Sequence, residues 1–145
     1  MLHPQLAADT ILVGTLPICQ VLLNHQFSQF PWVILVPNRT GCRDLTDLPE
    51  VDFQPVMDEV RAVHDALKAH HKPTKMNVAA IGNMVPQLHI HIIARWEGDA
   101  CWPKPVWGHA QPVPYADAGQ AEARKLVELL TEAGLPLVPA NIAMH

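Results

Sequence analysis

Gln87-Leu-His-Ile-His-Ile-Ile-Ala-Arg95 alternates polar and apolar residues. Period 2 is the pattern of a half-buried β-strand, on which residues two apart share a face. Leu88, Ile90 and Ile92 therefore point to a core, and Gln87, His89 and His91 line the opposite face together. Two imidazoles and an amide in a row can bind an anion, hold a metal or do covalent chemistry. Neutral imidazole is a good nucleophile near pH 7, since its unperturbed pKa is about 6.5. A second polar group beside it can polarise a phosphoryl oxygen and assist a leaving group. The bland alternative is a pair of surface or satisfied structural histidines.

A metal reading also fits the residue types. A His-x-His on a strand supplies two ligands, Glu97 a third and His109 a fourth. That set resembles the metal motif of the cupin barrels, with slightly long spacing to Glu97. Cupins are almost all β, and the helical segments below count against them.

The elements that must carry the histidine strand are readable around it. Residues 10–16, 18–23 and 32–36 are β-branched and apolar runs, separated by Pro17 and by Asn24-His25 and closed by Pro37-Asn38. They predict an antiparallel meander. Val56, Val60, Val63 and Leu67 recur at i, i+4, i+7 and i+11, which predicts a helix over 49–72 that Pro73 ends. Residues 76–81 resemble a strand, with Gly82-Asn83 as a turn. Asp117-Ala-Gly-Gln120 resembles a capping box for a helix carrying Leu126, Val127 and Leu130, with Gly134 as its C-terminal cap. The tail over 135–145 has little pattern. The sum is an α+β fold with helices packed on an antiparallel sheet.

The chain has 145 residues, which predicts one domain able to fold without disulfides. Apolar residues make up 49% and charged residues 17%, the balance of a globular protein. The net charge of −4 argues against general nucleic-acid binding or a membrane-surface role. Cys19, Cys42 and Cys101 are odd in number and form no CxxC, so a reducing cytoplasm is the expected setting. No signal peptide is legible at Met1-Leu-His-Pro, and no apolar run approaches the ~20 residues of a membrane span.

Pro86-Gln-Leu-His-Ile-His-Ile-Ile-Ala-Arg95 resembles the signature of the histidine triad superfamily, His-φ-His-φ-His-φ-φ with φ apolar. Val21-Leu-Leu-Asn24, Trp32-Val-Ile-Leu-Val-Pro37, Asp44-Leu-Thr-Asp-Leu48 and the long helix follow that family's order. The resemblance is to the branch that includes dinucleoside polyphosphate hydrolases and covers residues 10–96. It implies a five-stranded antiparallel sheet with two helices, often dimeric; the tryptophan loop and last helix over 97–145, which complete the single domain, are read from their residues alone. It implies a nucleotide hydrolase or nucleotidyl transferase that acts at the α-phosphate of a phosphoramidate or dinucleoside polyphosphate, through a nucleotidyl-histidine that water hydrolyses. By position, His89 is the nucleophile and His91 contacts the phosphate or bridging atom. Asn24 falls near the ribose and α-phosphate, and Asn83 in the loop that brings an amide to the phosphate. Asn77 is a weaker candidate. No cofactor is required, although Mg²⁺ can accompany a polyphosphate.

Two departures stand out. Gln87 occupies the first triad position, and Trp32 stands where relatives often have a histidine. Glutamine donates and accepts hydrogen bonds but does not titrate, so it can orient the nucleophile or mark lost activity in a nucleotide-binding regulatory domain. Both changes read as a correlated rearrangement of one network. Trp96, Trp102 and Trp107, with Pro103 and Pro105, form a ring-rich loop that either stacks on a base or covers the core or a dimer interface. Lys104 can approach a polyphosphate. Arg95 either pairs with a phosphate or braces Glu97 or Asp99.

Overall fold

The computed structural model describes residues 1–143; Met144 and His145, the end of the unpatterned tail, lie outside the described residues. The elements run α1 (Pro4–Asp9), β1 (Thr10–Thr15), β2 (Cys19–Asn24), β3 (Trp32–Pro37), α2 (Glu50–His71), β4 (Lys75–Ala79), β5 (Ile90–Arg95), α3 (Gln120–Glu132) and β6 (Val138–Pro139). One antiparallel sheet has the order β4-β5-β3-β2-β1-β6. Five strands and the two long helices are those expected from hydrophobic periodicity. The sixth strand is a two-residue addition in the tail, where Val138 pairs with Thr15 and Pro139 with Gly14.

The third helix, α1, was not expected. Pro4 opens it, His3 Nδ1 accepts the Gln5 N–H at 3.1 Å, and the Thr10 hydroxyl donates to the Leu6 carbonyl at 2.6 Å. Six residues carry too little periodicity to read as a helix alone. The burial of Leu6 is what holds this one in place.

Both faces of the sheet are covered. Val56, Val63 and Leu67 of α2 and Ala123, Leu126 and Leu130 of α3 pack with Val33, Leu35, Ile90 and Ile92. On the opposite face Leu22, Trp32, Ile34, Val36 and Ile93 lie with Leu6 of α1, Phe30 and Val106 of the tryptophan loop. The β5 strand is consequently buried on both faces rather than half-buried. The strand is also shorter than its sequence pattern, starting at Ile90. Ile90 pairs with Leu35 and His91 with Ala79, and beyond those partners the ladder runs out. Leu88 is instead held by its N–H to the Cys42 carbonyl at 2.9 Å.

At the start of α3, Asp117 accepts the Gly119 and Ala121 N–H groups at 3.0 and 2.9 Å. The expected reciprocal arm from Gln120 is missing; Gln120 Oε1 is buried without a partner. Gly119, at φ 82°, is the helix N-cap, and a left-handed residue there displaces Gln120 from the capping geometry. Glu59 of α2 ties the helix layer to the sheet, accepting the Ile18 and Cys19 N–H groups at 3.0 and 2.8 Å.

Candidate active site

His89 and His91 lie side by side at the start of β5, ring centroids 5.0 Å apart and planes at 70°. Each exposes less than a tenth of its surface, 7% and 8%. Their hydrogen bonds make them chemically different. His89 Nδ1 lies 2.7 Å from the carbonyl oxygen of Gln87. A carbonyl only accepts, so Nδ1 carries the proton and Nε2 keeps its lone pair. His91 Nδ1 lies 2.9 Å from the indole Nε1 of Trp32. Indole N–H only donates, so His91 Nδ1 is the acceptor and the ring proton sits on Nε2. One ring thus offers a nucleophilic nitrogen and its neighbour a donor.

Burial, and then the adjacent His89, push the His91 pKa down to about 3. His91 is therefore a neutral hydrogen-bond donor at neutral pH. Aromatic rings surround it: Trp32 at 5.7 Å and Trp107 at 5.2 Å between centroids, both edge-on. Trp107 meets Trp32 at 5.9 Å, and Phe27 lies 4.9 Å from Trp32. Of the three loop tryptophans, Trp107 alone packs against the imidazoles. Trp96 meets His71 of α2, and Trp102 lies over the Arg95 guanidinium at 5.8 Å.

Gln87 contributes to the site by its main chain. Its side chain turns to the N-terminal segment, with Oε1 accepting the His3 N–H at 2.7 Å and Nε2 donating to the Met1 carbonyl at 3.1 Å. Gln87 and Trp32 therefore do not share one side-chain network, contrary to the expectation of a correlated pair. The amide serves the N-terminal segment and the indole serves His91. Nothing in the local pattern of residues 87–91 signals the partnership with Met1 and His3, because it spans more than eighty residues.

Asn24 and Asn77 hydrogen-bond to groups other than the two imidazoles. Asn24 ends β2, and β3 lies between it and β5, a backbone separation of roughly 10 Å or more. Its Oδ1 accepts the Gln26 N–H at 3.0 Å within a turn. Asn83 is exposed in the bend between β4 and β5. Asn77 accepts from Arg95 at 3.2 Å. Arg95 is 1% exposed and braces Asp99, at 2.7 and 3.0 Å, and also donates to the Lys104 carbonyl at 2.9 Å. This settles Arg95 as the anchor of the tryptophan loop. Asp99 additionally accepts the N–H groups of Trp96, Cys101 and Trp102, and its carboxyl pKa is held down to about 2, chiefly by Arg95. The side chains of Lys104, Glu97 and His109 are exposed. Among the described residues no three His, Cys, Asp or Glu side chains converge to hold a metal.

A family model described as "HIT domain" matches residues 5–98. A solved histidine triad protein from Marinobacter aquaeolei is 45% identical, with a TM-score of 0.85 over 92% of this chain and 98% of its own. A second, from Bradyrhizobium japonicum, is 43% identical with a TM-score of 0.84, over 92% and 96%. The curated bis(5'-adenosyl)-triphosphatase of Saccharomyces cerevisiae is 34% identical over 70 residues, 45% of this chain. The match spans about a third, 34%, of that enzyme's length.

Proposed function

The chain belongs to the HIT domain family, and from that premise we propose that it is a nucleotide hydrolase or nucleotidyl transferase acting at an α-phosphate, with His89 as nucleophile. The observation that carries this reading is the opposite tautomers of the two imidazoles. His89 Nε2 attacks the phosphorus and forms an N–P bond as the bond to the leaving group breaks. The His91 ring, 5.0 Å from that of His89 between centroids, supplies its Nε2–H as the donor to a phosphoryl oxygen or to the departing atom. Water then cleaves the N–P bond, or a second acceptor takes the nucleotidyl group. A phosphoramidate or a dinucleoside polyphosphate is the substrate class, and the likeness to a bis(5'-adenosyl)-triphosphatase supports adenosine as the retained nucleoside. The imidazole chemistry needs no cofactor, and Mg²⁺ would serve a polyphosphate by neutralising its charge.

The test is to quench a reaction with adenosine 5'-phosphoramidate and map the adduct. We expect an adenylyl group on His89 and a loss of turnover of roughly three orders of magnitude or more in His89→Ala. Near wild-type turnover in that variant would exclude covalent catalysis. A binding-only reading draws on the low exposure of both rings and on the diversion of the Gln87 side chain. Stoichiometric adenylate binding without turnover or adduct would select it.

A further inference from the structure

We propose that residues 1–9 form a strap clasped by Gln87, and that release of the clasp joins the imidazole pair to a neighbouring cavity to make one substrate site. The proposal rests on reading His89 and His91 as the reacting pair. The glutamine side chain meets the strap with both its groups, Oε1 to the His3 N–H at 2.7 Å and Nε2 to the Met1 carbonyl at 3.1 Å. An amide presents a donor and an acceptor side by side, which matches the main-chain groups of an extended segment. An imidazole at this position holds one donor and one acceptor on opposite edges of its ring, so it cannot make the same pair of bonds. The departure from histidine at the first triad position then has a positive role.

The strap has two sides. Leu2 and Leu6 pack into the apolar cluster on the histidine face, with Ile34 and Val36. Met1, Leu2 and His3 also line a cavity of about 540 Å³, whose other walls are Gln20, the turn from Pro37 to Arg43, and Pro86-Gln87. That volume lies in the range of small-molecule sites, yet neither His89 nor His91 reaches its wall. The imidazoles are nearly closed off, and Gln87, two residues before His89, stands with the strap in the cavity's wall. The bond from Gln87 to Met1 is exposed. The far end of the segment is fixed by the Asp9 carbonyl, which accepts the His25 N–H at 3.1 Å, and by Thr10 on Leu6. Residues 1–3 are held to the rest of the fold by the two Gln87 bonds and Leu2, few enough contacts to place them in the part of a fold that opens most readily.

His3 has φ −54° and ψ 138°, a conformation proline adopts without strain. His3→Pro deletes the N–H that Gln87 accepts. His3→Ala keeps that N–H and removes only the cap on Gln5, so it is the matched control. The readout is the rate at which diethyl pyrocarbonate modifies His89, located by peptide mapping, together with hydrogen exchange of residues 1–9. We expect His3→Pro to raise the His89 rate about tenfold over His3→Ala, the equilibrium effect of one lost hydrogen bond. Gln87→Glu, which loses the donor to Met1, should act in the same direction and less than additively with His3→Pro. Equal His89 rates in the proline and alanine variants would overturn the strap, as would full additivity with Gln87→Glu. The readout does not need turnover. A strap that opens as expected in a protein forming no adenylyl adduct sinks the nucleotidyl reading alone. An adduct-forming protein with unchanged His89 reactivity sinks the strap alone.

Discussion

His91 shows how burial and one indole set the chemistry of a side chain. Its pKa is displaced from about 6.5 in an unfolded chain to about 3. Between those values the unfolded chain holds more protons than the folded one. The stability tied to this group is therefore whole above pH ~6.5 and drains as pH falls toward pH ~3, by up to about 1.4 kcal/mol per pH unit. His71, also lowered by burial and by His70, adds loss in the same direction. His91→Gln keeps an acceptor for the Trp32 indole and removes the titration. Urea unfolding between about pH 4 and pH 6 should show the wild type losing stability more steeply than this variant, by about 1 kcal/mol per pH unit. Parallel slopes would mean that His91 titrates normally in the folded protein.

Trp32 makes a second, separable prediction. Trp32→Phe preserves the ring and removes the N–H that reaches His91 Nδ1. A buried imidazole nitrogen then loses its partner, at a cost of about 1–3 kcal/mol. Nitrogen chemical shifts should report His91 leaving its single Nε2–H tautomer while His89, held by a carbonyl, keeps its own. A His91 spectrum unchanged in Trp32→Phe would remove the indole from the argument.

At the scale of elements, strand and helix periodicity made β1 to β5, α2 and α3 legible, because each buries a continuous face whose repeat is visible in the residues. The histidine pair was legible for the same reason. What covers the second face was not. Leu6, Val106 and Trp107 come from a six-residue helix and an irregular loop, and no period marks them. The Gln87 clasp and the Trp32 bond to His91 join residues 84 and 59 positions apart, so only the folded chain shows them. Arg95 was legible as a residue with a task, but its choice between phosphate and carboxylate depended on where Asp99 falls. That pair now carries a prediction for the whole loop. Arg95 and Asp99 side chains are 2% and 7% exposed. Asp99→Ala leaves a buried guanidinium short of its counter-ion and frees three loop N–H groups. We expect a loss of about 3–5 kcal/mol and increased hydrogen exchange over residues 96–107. A loss below ~1 kcal/mol would show that the loop is held by its rings instead.

At the scale of the molecule, the sheet is unequally finished. At one end β6 covers part of β1, but β4 pairs with β5 alone and leaves its other edge open. Val78 on that strand is 46% exposed and Ile81 just beyond it 42%. Soluble proteins usually cover such an edge, and a two-fold axis beside it pairs the strand antiparallel with its own copy. We therefore expect a homodimer joined through β4. The tryptophan loop is the weaker candidate, since Trp107 is committed inward against Trp32 and His91. Light scattering at micromolar concentration should give twice the chain mass, and Val78→Lys, which places a charge in the paired edge, should give the chain mass with the fold intact. A monomeric wild type would refute the dimer. A dimer that survives Val78→Lys would move the contact off this edge, to the helix layer where Val51 stands 82% exposed on α2.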